Sequence, residues 1–200
     1  MRLVIAAVVG TIVVFSWGFF SGGGPGLWSS ELRDLPEGAG AQIVPAIQSG
    51  IPKTGSYLFP PRSLAPDWDD GEARKAWQDA AEKGPTGIIL VRPGGVRPMA
   101  TAMFVTGVTL EFAGSLLLAA ILSIAGSAGI GFGGRMALGL SMVAFAVIAG
   151  VLVPSNFMQL PADWTRSMGG ELAISWGLAV IAIGFVLRPS RRPGRHHGRG

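Results

Sequence analysis

The chain has 200 residues, of which 49% are hydrophobic and only 14% charged, with a net charge of +4. Soluble domains carry about 25% charged residues, so much of this chain is built for an apolar solvent. There is no cysteine, and both histidines, His196 and His197, lie in the last stretch. That composition excludes disulfides, thiolate chemistry, Ser-His-Asp catalysis and histidine-held zinc or haem from the body of the protein.

Taken in chain order, residues 1–20 come first. Leu3–Phe20 is one of four windows that approach the roughly 20 apolar residues a helix needs to cross the hydrocarbon core. It is read as an uncleaved anchor. Its apolar run exceeds the roughly 7–15 residues of a signal peptide, its only early charge is Arg2, and no small-residue cleavage site follows "SWGFFSGGG". Trp17, Phe19 and Phe20 suit a membrane interface.

Residues 21–98 form the second region, a small α/β module rather than a linker. "LWSSELRDL" reads as a short helix. "GAQIVPAIQSG" places Ile43, Val44 and Ile47 on one face, with Pro45 limiting it to a short or kinked turn. "TGSYLFPP" reads as a strand stopped by prolines. "PDWDDGEARKAWQDAAEKG" is the best soluble helix, with Asp67 or Asp69 as cap, Trp68, Ala73, Trp77 and Ala81 facing inward, and Gly84 at its end. "TGIILVRPGG" is the second strand. Alone, the module's core is marginal, so it is expected to lean on the membrane or on the ends of the spans.

Residues 99–187 carry three further spans: Met99–Ile124, Met136–Val153 and Leu172–Leu187. Residues 188–200 are a tail with five arginines, Arg188, Arg191, Arg192, Arg195 and Arg199. This tail is expected to set orientation and to touch anionic lipid headgroups, not nucleic acid. With Arg135 in the loop between spans two and three, it puts both termini in the cytoplasm. Arg92 and Arg97 oppose this but follow a segment of more than about 60 residues, which crosses largely regardless of charge. The expected fold is a membrane all-α protein: a four-transmembrane-helix bundle with an extracytoplasmic α/β module between helices 1 and 2, in a bacterial inner membrane.

Span two holds Glu111 in mid-helix. Gly107, Glu111 and Gly114 share a face by the i, i+4, i+7 rule, and small residues let helices approach closely in lipid. Span three repeats this with Gly139, Ala146 and Gly150, and span four with Gly177, Ile181 and Gly184. Glu111 therefore points into a helix seam. An ionised carboxylate there costs at least about 3 kcal/mol, and no Lys or Arg lies inside the spans. The expected state is the neutral acid, bonded to Thr106 or Thr109, to Ser141, Ser175 or Ser16 on other spans, or to a backbone carbonyl. It is either a structural clasp or a proton, ion or ligand site.

Other motifs fail their context. "DWDDGE" lacks calcium-loop spacing, with Gly71 at position 5 and Gln78 at position 12. "GIPKTGS" lacks the Gly-Lys-Ser/Thr order of a P-loop. "GIGFGGR" follows a membrane helix rather than a strand and reads as a tight turn with Arg135 at the interface. A Ser56–Lys53 hydrolase pair is the weakest option. No cofactor, metal or catalytic group is expected.

"SWGFFSGGGPGLWSSELRDLP", "VPAI" and "GSYLFPP" resemble a group of uncharacterised bacterial four-span inner-membrane proteins whose outer module carries a G-x-Y-x-x-P motif. The matching positions are Trp17, Gly18, Ser21, Val44, Ala46, Ile47, Gly55, Tyr57 and Pro60. "VPSNFMQLPADWT" departs from the aromatic loop of that group. The resemblance implies the four-span layout and no catalytic residues. The expected function is a non-enzymatic accessory or assembly subunit of an envelope complex, with the lipid bilayer and other membrane subunits as partners. The alternative is a small proton-coupled transporter or ligand-binding protein using Glu111.

Overall fold

A helix satisfies its backbone groups within itself, and four long apolar runs with few charges take that form. In the computed structural model, which describes residues 1–23, 34–64 and 66–188, these are α1 (Arg2–Gly18), α4 (Thr101–Ser127), α5 (Phe132–Val147) and α7 (Ala162–Val186). Four helical stretches are long and apolar enough to cross a membrane. Between them come α2 (Ala39–Gly50), β1 (Gly55–Phe59), α3 (Gly71–Lys83) and β2 (Gly87–Val91), and a short α6 (Val153–Phe157) follows α5. Most of the expected helix at "LWSSELRDL", Trp28 included, and the basic tail beyond Arg188 lie outside the described residues. The chain divides into two units: Met1–Leu32 with Thr101–Gly200, and Arg33–Ala100.

In the helical unit α1 packs on both α4 and α7, and α5 packs mainly on α7. The start of α1, the end of α4, the start of α5 and the end of α7 line one common cavity. The four helices therefore alternate in direction. Ala6, Leu118, Ala119, Leu122, Val143, Val180 and Ile183 form the core. On α1 the buried positions are Ala6, Ala7, Gly10, Thr11 and Val14, a narrow stripe of mostly small side chains.

Three boundaries differ from the sequence expectation, each for a local reason. The fourth span begins at Ala162 rather than Leu172, taking in Asp163, Arg166 and Glu171. Asp163 sits in the first turn, where the helix dipole favours an acid, and Arg166 pairs with it at i, i+3. Glu171 accepts a hydrogen bond from the Trp17 indole on α1. The third span runs on to Phe157 through a π-helical turn, Ile148–Leu152. That turn immediately precedes Pro154, whose missing N–H breaks the regular ladder. The segment around Pro45 is a 12-residue helix rather than a short turn; an exposed helix gives up one ladder bond without burying the freed carbonyl.

In the second unit β1 and β2 pair antiparallel, Gly55 with Val91 through Phe59 with Gly87. The last pair needs its glycine: a Cβ at Gly87 would lie 2.7 Å from the Phe59 ring. The cap of α3 is Asp70, whose carboxylate accepts from the Glu72 N–H at 2.9 Å. Asp67, expected as a possible cap, instead accepts from the Asp69 N–H and tightens the preceding turn. Gly84 ends α3 at φ 68°.

Candidate functional site

The buried stripe of α4 comprises Ser115, Leu118, Ala119, Leu122 and Ala125. Glu111 lies one turn before Ser115 on that stripe and is half-buried. The approach of α1 is close here because residue 10 is glycine. A Cβ there would lie 2.7 Å from Ile183 Cδ1 and 2.9 Å from Ser115 Oγ. Ser115 is 0% exposed, pressed between α1 and its own helix.

Two of the hydroxyls expected to receive Glu111, those of Thr109 and Ser175, are engaged elsewhere. Thr109 Oγ1 donates to the Val105 carbonyl at 2.7 Å, and Ser175 Oγ donates to the Glu171 carbonyl at 2.7 Å. Thr11, buried on α1, donates to the Ala7 carbonyl at 2.8 Å. Ser141 is exposed on α5. Among the described residues, Glu111 Oε2 and Ser115 Oγ are both buried without a hydrogen-bond partner. Serine and threonine in helices commonly turn back on the carbonyl four residues earlier. That habit, invisible in a count of hydroxyls, consumes Thr109 and Ser175.

The other glutamate of the spans is treated differently. The Trp17 indole N–H donates to Glu171 Oε2 at 2.9 Å, tying α1 to α7. So one acid is held across a helix contact and the other is not. Glu171 stands immediately before the apolar window Leu172–Leu187, and nothing within its own span signals the indole on α1 that meets it.

The six packing glycines fall into two sets. Gly114, Gly139 and Gly184 sit under large side chains: Trp176 would come within 2.5 Å of a Cβ at 114, Val180 within 2.6 Å at 139, and Met136 blocks 184. Gly177 has ordinary room, with Leu140 at 3.9 Å, and Gly107 and Gly150 face open space. The expected Gly107–Glu111–Gly114 face is therefore packed at one end and open at the other. Gly10 and Gly126 are further tight positions that the spacing rule on single spans did not pick out. Arg135, expected at a turn, lies in the first turn of α5 and is buried at 5% exposure.

The second unit carries an aromatic cluster. Trp68 stands edge-on to Trp77 at 5.5 Å, and the Arg62 guanidinium lies 5.5 Å over the Trp68 ring. The Trp77 indole donates to the Pro60 carbonyl, which fixes the inner ring and leaves Trp68 at 43% exposure. Lys53 and Ser56 share no hydrogen bond; the Lys53 carbonyl accepts from the Tyr57 hydroxyl instead. Among the described residues no cluster of three or more His, Cys, Asp or Glu side chains is grouped to hold a metal.

These features define a class: a mostly helical chain with four apolar helices fit for a multi-pass membrane protein and a small two-stranded α/β unit. Comparison with known proteins goes no further: no family model, no curated protein and no solved structure matches this chain.

Proposed function

We propose that this is a multi-pass protein of a bacterial inner membrane that acts without catalysis, as an interaction or assembly subunit of a larger envelope complex. The observation that carries this reading is the Arg62–Trp68–Trp77 stack. Tryptophan and arginine dominate the energetic centres of protein interfaces. Here both are held in place, by the indole bond to Pro60 and the ring contact, with Trp68 left accessible. A rigid aromatic anchor loses little entropy on docking. Orientation with both termini in the cytoplasm is supported by Arg2, Arg135 and Arg188 lining the same end of the helical unit, as the positive-inside rule requires.

The test is co-purification in mild detergent from the protein's own host, with tagged wild type beside Trp68→Ala and Arg62→Ala. The expected result is a stoichiometric partner lost in Trp68→Ala, with both variants accumulating normally. Recovery of wild type only as a free homo-oligomer sinks the reading.

One observation favours a second reading, a proton, ion or ligand site within the helices. Glu111 Oε2 and Ser115 Oγ are orphaned one turn apart, and orphaned buried polar groups call for an explanation. This reading expects Glu111→Gln to abolish function at unchanged abundance; the interaction reading expects it to be tolerated.

A further inference from the structure

We propose that the end of the helical unit where α1 and α5 begin and α4 and α7 end is a binding site for a phosphate-class anion. The proposal rests on geometry independent of the Trp68 cluster. An open cavity of about 1080 Å³ lies there, lined by Arg2, Arg135 and Arg188 and by the serines Ser123 and Ser127. No aspartate or glutamate is among its described lining residues. Arg135 and Arg188 bring two guanidinium groups to one space with no carboxylate among its described lining residues, a local positive field that attracts an anion.

Arg135 is the centre of the argument. It is 5% exposed, and a charged side chain is rarely buried so deeply without a partner. Its Nη1 donates to the Leu187 carbonyl at 3.4 Å, a long bond, and its Nε has no partner. The helices make room for it: a Cβ at Gly126 would lie 3.1 Å from Nη1 and 3.4 Å from Cδ. A side chain accommodated by a glycine on the next helix, yet under-bonded, has donors to spare for a ligand. An arginine fork matches phosphate oxygens in a bidentate manner.

Two features reinforce it. Arg188 stacks 4.1 Å over the Phe132 ring and 5.3 Å from Phe185, which holds its guanidinium at the rim. Phe132 also opens α5, whose first turn has no acidic residue and no side-chain cap. The free N–H groups and positive dipole end of that helix face the same anion. Basic pockets between membrane helices are suited to lipid headgroups, and a soluble phosphate shares the chemistry.

The experiment uses the full chain, basic tail included, so that non-specific attraction by the tail is common to every sample. Wild type, Arg135→Gln, Arg135→Lys and Ser127→Asp are placed in nanodiscs of phosphatidylcholine alone or with phosphatidylglycerol. Lipid retention after detergent exchange is read by native mass spectrometry. Separately, inorganic phosphate is titrated against the detergent-solubilised proteins and followed by thermal unfolding. Wild type is expected to retain phosphatidylglycerol over phosphatidylcholine, and Arg135→Gln and Ser127→Asp to bind at least about tenfold more weakly. Arg135→Lys, which keeps the charge but not the fork, is expected to fall between them. Ser127 is exposed, so its variant keeps the test decisive if Arg135→Gln fails to fold. Retention of lipid without a response to inorganic phosphate identifies a headgroup site; a response to both identifies a general phosphate site. Equal retention of the two lipids, or equal binding by wild type and Ser127→Asp, overturns the proposal.

Discussion

The two units solve the problem of stability in opposite ways. The helical unit buries small residues: Ala6, Ala7, Ser115, Ala119 and Ala179 are all 0% exposed. The second unit, among its described residues, has none that is fully buried. It is held instead by a capped helix, a two-stranded ladder and one tryptophan pair. Helices that sit in lipid gain no hydrophobic drive toward one another, and close backbone approach with dispersion is the attraction open to such helices. In water a 68-residue unit, Arg33–Ala100, has too little interior to rely on burial. The difference teaches that glycine is structural in one unit and mostly punctuation in the other.

The sharpest break of that comparison is overpacking at a tight glycine. Gly10→Val drives a branched side chain into Ile183 and Ser115 where α1, α4 and α7 meet, and Gly139→Val does the same against Val180. Each is expected to cost about 1–3 kcal/mol, measured as a lowered thermal unfolding midpoint in detergent. Survival of both at wild-type stability would falsify the close-packing account.

Much of this was legible beforehand. Four apolar windows, both strands and the helix ending at Gly84 follow from period and punctuation alone. What was not legible depended on partners distant in sequence. Glu171 belongs inside a helix because the Trp17 indole, on another helix, meets it. Arg135 is buried because Gly126 leaves it room. Gly107 and Gly114 look equivalent by spacing, and only the position of Trp176 separates them. A single-helix rule finds a face; it does not say which neighbour covers it.

The next effect in size concerns the bond between α1 and α7. Glu171→Leu removes the acceptor of the Trp17 indole and leaves that N–H without a partner. The expected loss is about 1–3 kcal/mol, with Glu171→Gln recovering most of it because an amide oxygen still accepts. Trp17→Phe removes the other partner. A double-mutant cycle by thermal unfolding should give clear coupling, and strict additivity would show that the bond contributes nothing.

In the second unit the matching test is Asp70→Ala, which strips the cap from α3. The expected cost is about 1 kcal/mol, seen as faster amide hydrogen exchange in the first turn of α3 while α4 and α7 remain protected. Asp67→Ala touches only the preceding turn and should leave the exchange of α3 nearly unchanged. Equal effects of the two would assign the cap to the wrong acid.

The smallest effect is the most discriminating, because its sign should reverse. Gly107 and Gly150 lie in helices, yet nothing stands within 4 Å of where a Cβ would be. Alanine is preferred to glycine inside a helix by up to about 1 kcal/mol, so Gly107→Ala and Gly150→Ala should leave the isolated protein equally or slightly more stable. Gly114→Ala, beneath Trp176, should do the opposite. Gly107 shares its face with the unpaired carboxyl of Glu111, so an added methyl there is a probe of what approaches that face in the cell. If Gly107→Ala raises the unfolding midpoint yet diminishes recovery of a co-purifying subunit, the open half of that face is a contact for another membrane helix. If stability and recovery are both untouched, that half faces lipid, and Glu111 acts only toward the interior of its own helices.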